Sequence, residues 1–373
     1  MHSILVLLAL TKVEMKRQMK SLSFWLVSFI FIFFIYTEVS PYLINYPIES
    51  QKKLDQLKKQ GAYGDFYVNK TVTDKMNDVK EYLSNYMKSD IPQERKAELD
   101  LLLNEINEGS KGLGEVLAYF EASTSENAAN ELAVIRSIID TVKREATLEE
   151  VQAKVKTALE NSPFSVYISK IYGDRTTALL NFLMLFIFAF LFARDHKNQL
   201  GEILHTKAVK PYEYVLGKYL GALIPLLALV LITALVVDFC MYINFLSHPD
   251  YKINLLNIVN YTLLFPVVSL LFSSALVTFL ALVFKNGFAV IPVYAAYYMF
   301  AINPDVSFFG TANLLDMLIR MKGNFLTLIP DAEWRSIYFN RAFYMLLTAI
   351  LLSLASTCWK YSTRQKRGRK WAT

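Results

Sequence analysis

The sequence predicts an all-α membrane protein with six transmembrane helices. It adds an N-terminal interfacial helix and a large α-helical extracytoplasmic domain between helices 1 and 2. Three observations carry this. Hydrophobic residues make up 54% of the 373 residues, more than a water-soluble fold of this length needs. They gather into charge-free runs, and about 17 to 25 apolar residues cross the hydrocarbon core as a helix. Residues 40–175 break the pattern, being charged and rich in Glu, Lys, Ala and Leu.

The elements follow in order. Residues 1–20 place Lys12, Lys16, Arg17 and Lys20 on one helical face, with Leu5, Leu8, Met15 and Met19 elsewhere. That suits a helix lying along the inner leaflet, and equally a cytoplasmic extension of the first span. A cleaved signal peptide is not expected, because residues 4–10 have no basic residue before them and a charged stretch after them. The first span is 21–39. In the inserted domain, 40–175, Ser89 and Asp90 precede Pro92, which suits a first helical turn. Thr147 with Glu150 has capping-box spacing. Leu132, Ile135, Ile139 and Val142 recur at helical intervals. Spans two to five are 176–193, 219–242, 259–284 and 286–304. Pro225, Pro266 and Pro292 are expected to kink their helices. Residues 305–340 are too charged to span and too apolar for a free loop. They predict short helices lying at, or dipping into, the outer face, where irregular backbone must be covered by protein or water. Residues 341–359 are the sixth span and 360–373 a basic tail.

Charge sets the orientation. Segments 1–20, 194–218, Lys285 and 360–373 together hold 16 Lys/Arg against 4 Asp/Glu, so they are expected on the cytoplasmic side. Both termini are then cytoplasmic in a multi-pass cell-membrane protein. The net charge of +6 follows from this orientation and from contact with membrane lipid, so it does not call for nucleic acid. Glu38, Asp238 and Arg341 fall at span ends and are expected to meet interfacial water. No ionisable residue falls mid-span, which argues against a proton- or sodium-driven carrier. Cys240 and Cys358 fall at opposite faces, and the four histidines are scattered, so neither a disulfide nor a metal site is expected.

The cytoplasmic segment 194–218 carries the functional signal. A short polar stretch, Pro211 and a Gly217–Lys218 pair connect two membrane helices. Arg194, Asp195, Gly201, Leu204, Pro211, Gly217 and Lys218 together resemble the loop after the second span in the permease subunits of ABC-2 type ABC transporters. Glu202 stands where that family usually has Thr. The six-span plan, the N-terminal helix ending in Ser23, Phe24 and Trp25, and the outer insertion resemble it too. The resemblance implies that Arg194, Asp195, Gly201, Glu202, Leu204 and Pro211 couple the chain to a cytoplasmic ABC ATPase subunit. It also implies a second permease half, identical or paralogous, and export or extraction of an amphipathic substrate such as a peptide antibiotic, lipid or envelope component. The chain lacks the Gly-rich phosphate cradle, so no cofactor is expected in it; ATP and Mg belong to the partner ATPase. By analogy, spans one, two and five line the pathway, with Ser23, Ser28, Asn181 and Tyr294 as polar candidates. The alternative is a membrane sensor or receptor whose outer helical domain binds a ligand. A membrane-embedded enzyme is weaker, because neither His-Glu-x-x-His nor Gly-x-Ser-x-Gly occurs.

Overall fold

The structure, a computed structural model, describes residues 2–59, 66–123, 125, 127–193, 209–302, 314–321 and 325–370. In chain order the elements are α1 (His2–Met19), α2 (Leu22–Asn45), α3 (Gln51–Lys59), β1 (Tyr67–Asn69), α4 (Val72–Tyr86), α5 (Gln93–Asn107), α6 (Leu113–Ala122) and α7 (Ala128–Asp140). Then come β2 (Lys143–Glu145), α8 (Leu148–Asn161), α9 (Phe164–Phe188), α10 (Pro211–Phe245), α11 (Leu256–Phe284), α12 (Gly287–Ile302) and α13 (Asp331–Lys370). The chain divides into two compact units: Met1–Gly61 with Gln152–Thr373, and Ala62–Val151.

The Ala62–Val151 unit is a small helical domain. Val79, Leu83, Leu99, Leu102, Ile106, Val116, Phe120 and Ile135 meet in its core, each a helical turn or two from the next on α4, α5, α6 and α7. The helix starts are chemically marked. Thr71 and Asp74 cap α4 reciprocally, and Thr147 exchanges the same pair of bonds with Glu150 ahead of α8. Pro92 is the residue before α5 rather than in its first turn. Leu132, Ile135 and Ile139 line the inner face of α7, but Val142 lies past its end and is exposed. A feature the periodicity did not predict is a two-stranded antiparallel sheet pairing Tyr67 with Glu145. Beside it Arg144 holds Glu150 through two bonds of 2.8 and 2.6 Å. That hydrogen bonding, with the Thr147 amide, lowers the Glu150 carboxyl to about 2.

The other unit is a helix bundle. Among the described residues, five helices are long and apolar enough to cross a membrane: α2, α9, α10, α11 and α13. The expected fifth span, α12, has 16 helical residues. That gives roughly 24 Å of rise against a hydrocarbon core of roughly 30 Å. Residues 303–313, into which that span was expected to run, fall partly at its end and lie outside the described residues. Several expected boundaries move: α2 runs to Asn45 instead of 39, and α13 begins at Asp331 instead of 341. Helix α9 begins at Phe164 instead of 176, and α10 at Pro211 instead of 219. Pro225 lies inside an unbroken α10, while Pro266 falls in a π-turn, Leu263–Val267, that absorbs its missing N–H.

Around residue 320 the backbone departs from expectation. Residues 314–321 and 325–330 are turns and extended chain, not short helices. They are nevertheless covered: Met317, Leu318, Ile319, Phe325 and Leu326 are buried. Their exposed carbonyls are met by helix side chains. Asn340 donates to Asp316 O at 2.9 Å, Tyr344 to Leu315 O at 2.6 Å, and Lys170 to Thr327 O at 2.6 Å. Helical hydrogen bonding is therefore replaced, not lost, which is the condition for irregular backbone inside a bundle.

Candidate functional site

The residues read as the coupling element, Arg194, Asp195, Gly201, Glu202 and Leu204, lie outside the described residues. The two ends of that segment are described, and they are tied together. Lys218 Nζ donates to Leu191 O at 2.9 Å, reaching from α10 back to the last residues after α9. The same ammonium lies 5.0 Å from the Phe192 ring centre and 5.5 Å from that of Tyr214. Trp359 of α13 packs at a tilt against both, with ring centres 4.9 Å from Tyr214 and 5.8 Å from Phe192. A 4% exposed lysine is affordable here because a carbonyl and two ring faces replace its water. Pro211 is the first residue of α10, where its missing N–H costs nothing. Glu213 accepts from the Lys210 amide at 3.0 Å.

Helix α1 docks on the same stretch of α10 through Gly217 and Gly221, four residues apart. A Cβ on Gly217 would stand 2.7 Å from Leu10 Cβ; on Gly221 it would stand 2.5 Å from Glu14 Cβ and 2.8 Å from Thr11 O. Only glycine lets the backbones approach so closely, as in small-residue helix contacts within membranes. Ser3 bonds both Tyr212 and Glu213 at the start of the interface. The polar face of α1 is therefore partly inward: Thr11, Glu14 and Gln18 are buried, whereas Leu5 and Leu8 are exposed.

The polar residues predicted to line a pathway are distributed otherwise. Asn181 and Tyr294 are fully buried and joined, Tyr294 Oη donating to Asn181 O at 3.0 Å. Asn181 Nδ2 also donates to Ser269 Oγ at 3.0 Å on α11. Ser28 is buried and donates to Phe24 O at 2.8 Å. Of the four, Ser23 is exposed. Asn181 and Tyr294 thus join α9, α11 and α12, and Ser28 bonds within α2.

The opposite end of the bundle, where α9 begins and α10 ends, holds a second polar cluster. Asp174 takes Arg320 through two bonds, Nε at 2.7 Å and Nη2 at 2.9 Å, and also accepts from the Met321 amide at 3.1 Å. Arg175 pairs with Glu38 of α2 at 2.9 Å. These partners explain why α9 extends upstream of its apolar run: Lys170 and Asp174 are neutralised or bonded by the irregular segment, so they can be buried in a helix. The expectation that Asp238 and Arg341 meet interfacial water fails. They are 2% and 3% exposed, Arg341 under the irregular segment through Met317 O, and Asp238 two turns before the Phe164–Phe245–Tyr251 aromatic cluster. Neither oxygen of Asp238 has a partner among the described residues. Lys218 and Asp238 are twenty residues apart on α10. That rise is roughly 30 Å, about the thickness of a bilayer's hydrocarbon core.

Sequence reasoning missed Lys170, Asp174, Arg320 and Asn340 because each lay outside the apolar runs. The Gly217-x-x-x-Gly221 spacing was the legible signal for the α1 contact. Comparison with protein-family models, with curated proteins and with solved structures finds no match for this chain.

Proposed function

We propose that this chain is the transmembrane permease subunit of an ABC-2 type ABC transporter, driven by a separate cytoplasmic ATPase. One observation supports the reading above the others: the base of the 194–208 segment is clamped. Lys218, Phe192, Tyr214 and Trp359 bind the end of α9, the start of α10 and α13 into one block, and the glycine pair adds α1. A push on the segment would therefore move four helices together, rather than being absorbed by a slack loop. Helix α10 then runs without a break from Pro211 to Phe245, with Asp238 in its last third.

On this reading the chain crosses the cell membrane six times, α12 completing the fifth crossing, with both termini cytoplasmic. The 62–151 unit lies outside the cell. Two permease halves enclose the path of an amphipathic substrate, exported or extracted from the outer leaflet. ATP and Mg are bound by the partner.

The test is affinity purification of the tagged chain from its native membrane in mild detergent. An ATPase with a phosphate-binding loop should accompany it, and Lys218→Gln should retain that partner while lowering substrate-stimulated ATP hydrolysis. Recovery of the intact chain with no ATPase, alongside ligand binding by the 62–151 unit, would favour the sensor reading instead.

A further inference from the structure

A cavity of about 370 Å³ opens where α1 turns into α2 and meets the end of α9. Arg17, Lys20, Ser21 and Ser23 form one side, and Phe186 and Phe190 line the other. The volume lies within the range of ligand pockets, and the two sides differ in kind. Lys20 Nζ has no partner among the described residues. Arg17 gives Nη2 to Glu14 at 2.7 Å, a carboxylate that Gln18 also holds at 2.8 Å, and keeps the rest of its fork. Ser21 Oγ is occupied: it donates to Gln18 O and accepts from the Phe24 amide. The first-turn amides ahead of Phe24 have no helical acceptor and add partial positive charge.

The setting points to a lipid. Trp25 is exposed beside the cavity, and its indole donates to Met19 O at 2.8 Å. An exposed tryptophan with its N–H at the polar end, next to Lys20, marks the boundary between headgroups and acyl chains. Leu22 and Leu26 are exposed on the same helix. We propose that this cavity binds the headgroup of an anionic phospholipid, its phosphate between Arg17 and Lys20 and its glycerol and upper acyl chain against Phe186 and Phe190. Two cations and no lining carboxylate favour a lipid with net negative charge over a zwitterionic one, whose choline would face Lys20 and Arg17. This site does not depend on the transport reading.

Native mass spectrometry of the full-length chain in detergent, titrated with dioctanoyl phosphatidylglycerol, dioctanoyl phosphatidylcholine or inorganic phosphate, tests it. The wild type should hold phosphatidylglycerol at least five-fold more tightly than phosphatidylcholine. Lys20→Gln should weaken phosphatidylglycerol about five-fold, the effect of one interfacial charge, and leave phosphatidylcholine unchanged. Ser23→Phe, which fills the cavity and keeps both charges, should weaken both lipids without changing the melting temperature. Equal retention of the two lipids, or phosphatidylglycerol binding unaltered by both substitutions, overturns the assignment. So does displacement of phosphatidylglycerol by equimolar inorganic phosphate, which would make this an ion site.

Discussion

The 62–151 unit and the helix bundle are built from the same element but are sorted in opposite ways. The small unit buries Leu99, Leu102 and Ile135 and leaves most of its ion pairs, such as Arg136–Glu121, at the surface. Among its described residues, Arg95 with Glu131 is the deeply buried pair. The bundle exposes Phe29, Phe33, Ile232, Leu235 and Phe239. It buries Ser165, Ser169, Thr177, Asn181, Ser269 and Thr278. Apolar surface facing outward has no driving force toward water, and hydroxyls inside a helix bundle are useful where no water competes. The comparison teaches that the two units answer to different solvents, and each half of it can be broken separately.

The largest expected effect is at Asp174. Asp174→Ala leaves the half-buried Arg320 without its carboxylate and should cost about 3 kcal/mol, the lower end for a buried pair, read as a lower melting temperature in detergent. The double replacement Asp174→Leu with Arg320→Met should recover most of it. A single variant that melts like the wild type would mean the pair is solvated.

Next comes a matched pair of surface substitutions. Phe29 and Leu101 are similarly exposed, at 71% and 67%. Phe29→Asp should disfavour membrane insertion by about 2.5–3.5 kcal/mol, measured as the fraction of chain integrated. Leu101→Asp should change stability by no more than about 0.5 kcal/mol. Equal effects would erase the distinction between the two units.

A smaller effect is expected at the glycine contact. Gly221→Val forces α1 away from α10, an overpacking of about 1–3 kcal/mol, and should expose α1 to limited proteolysis. Protection equal to the wild type would show that α1 is held by other contacts.

The smallest is electrostatic. Glu150 is held down to about 2 by Arg144 and the Thr147 amide, below the roughly 4.3 of an unfolded glutamate. A depressed carboxyl contributes stability above its unfolded value, and that contribution fades as pH falls through the folded one. Between about pH 5 and 2 the 62–151 unit should therefore lose stability, and Glu150→Gln should flatten that part of the profile. An unchanged slope would mean the pair is open in solution.

Legibility in the sequence followed the same divide. Helices α2 and α10 were visible as long apolar runs because lipid-facing surface needs no polar relief. The upstream half of α9 was hidden because Lys170 and Asp174 break the run, and their partners at Thr327 and Arg320 are about 150 residues away. Residues 305–340 were read as short helices because they are too charged to span and too apolar for a free loop. The side chains of Asn340, Tyr344 and Lys170 stabilise a different backbone there. The inserted domain was drawn too wide, at 40–175, because charge content alone does not separate α3 and the start of α9 from the 62–151 unit. At the proposed coupling base, Pro211 and the Gly217–Lys218 pair were legible as a pattern. The bond from Lys218 to Leu191 was not, because it joins residues on either side of the loop.

The most direct test of that coupling base is a photo-activated crosslinker placed at Glu202 in the full-length chain in native membranes. The account predicts a specific crosslink to a cytoplasmic ATPase, weakened when ATP hydrolysis is arrested in a different conformational state. Crosslinks to lipid alone, with the chain correctly inserted, would contradict it.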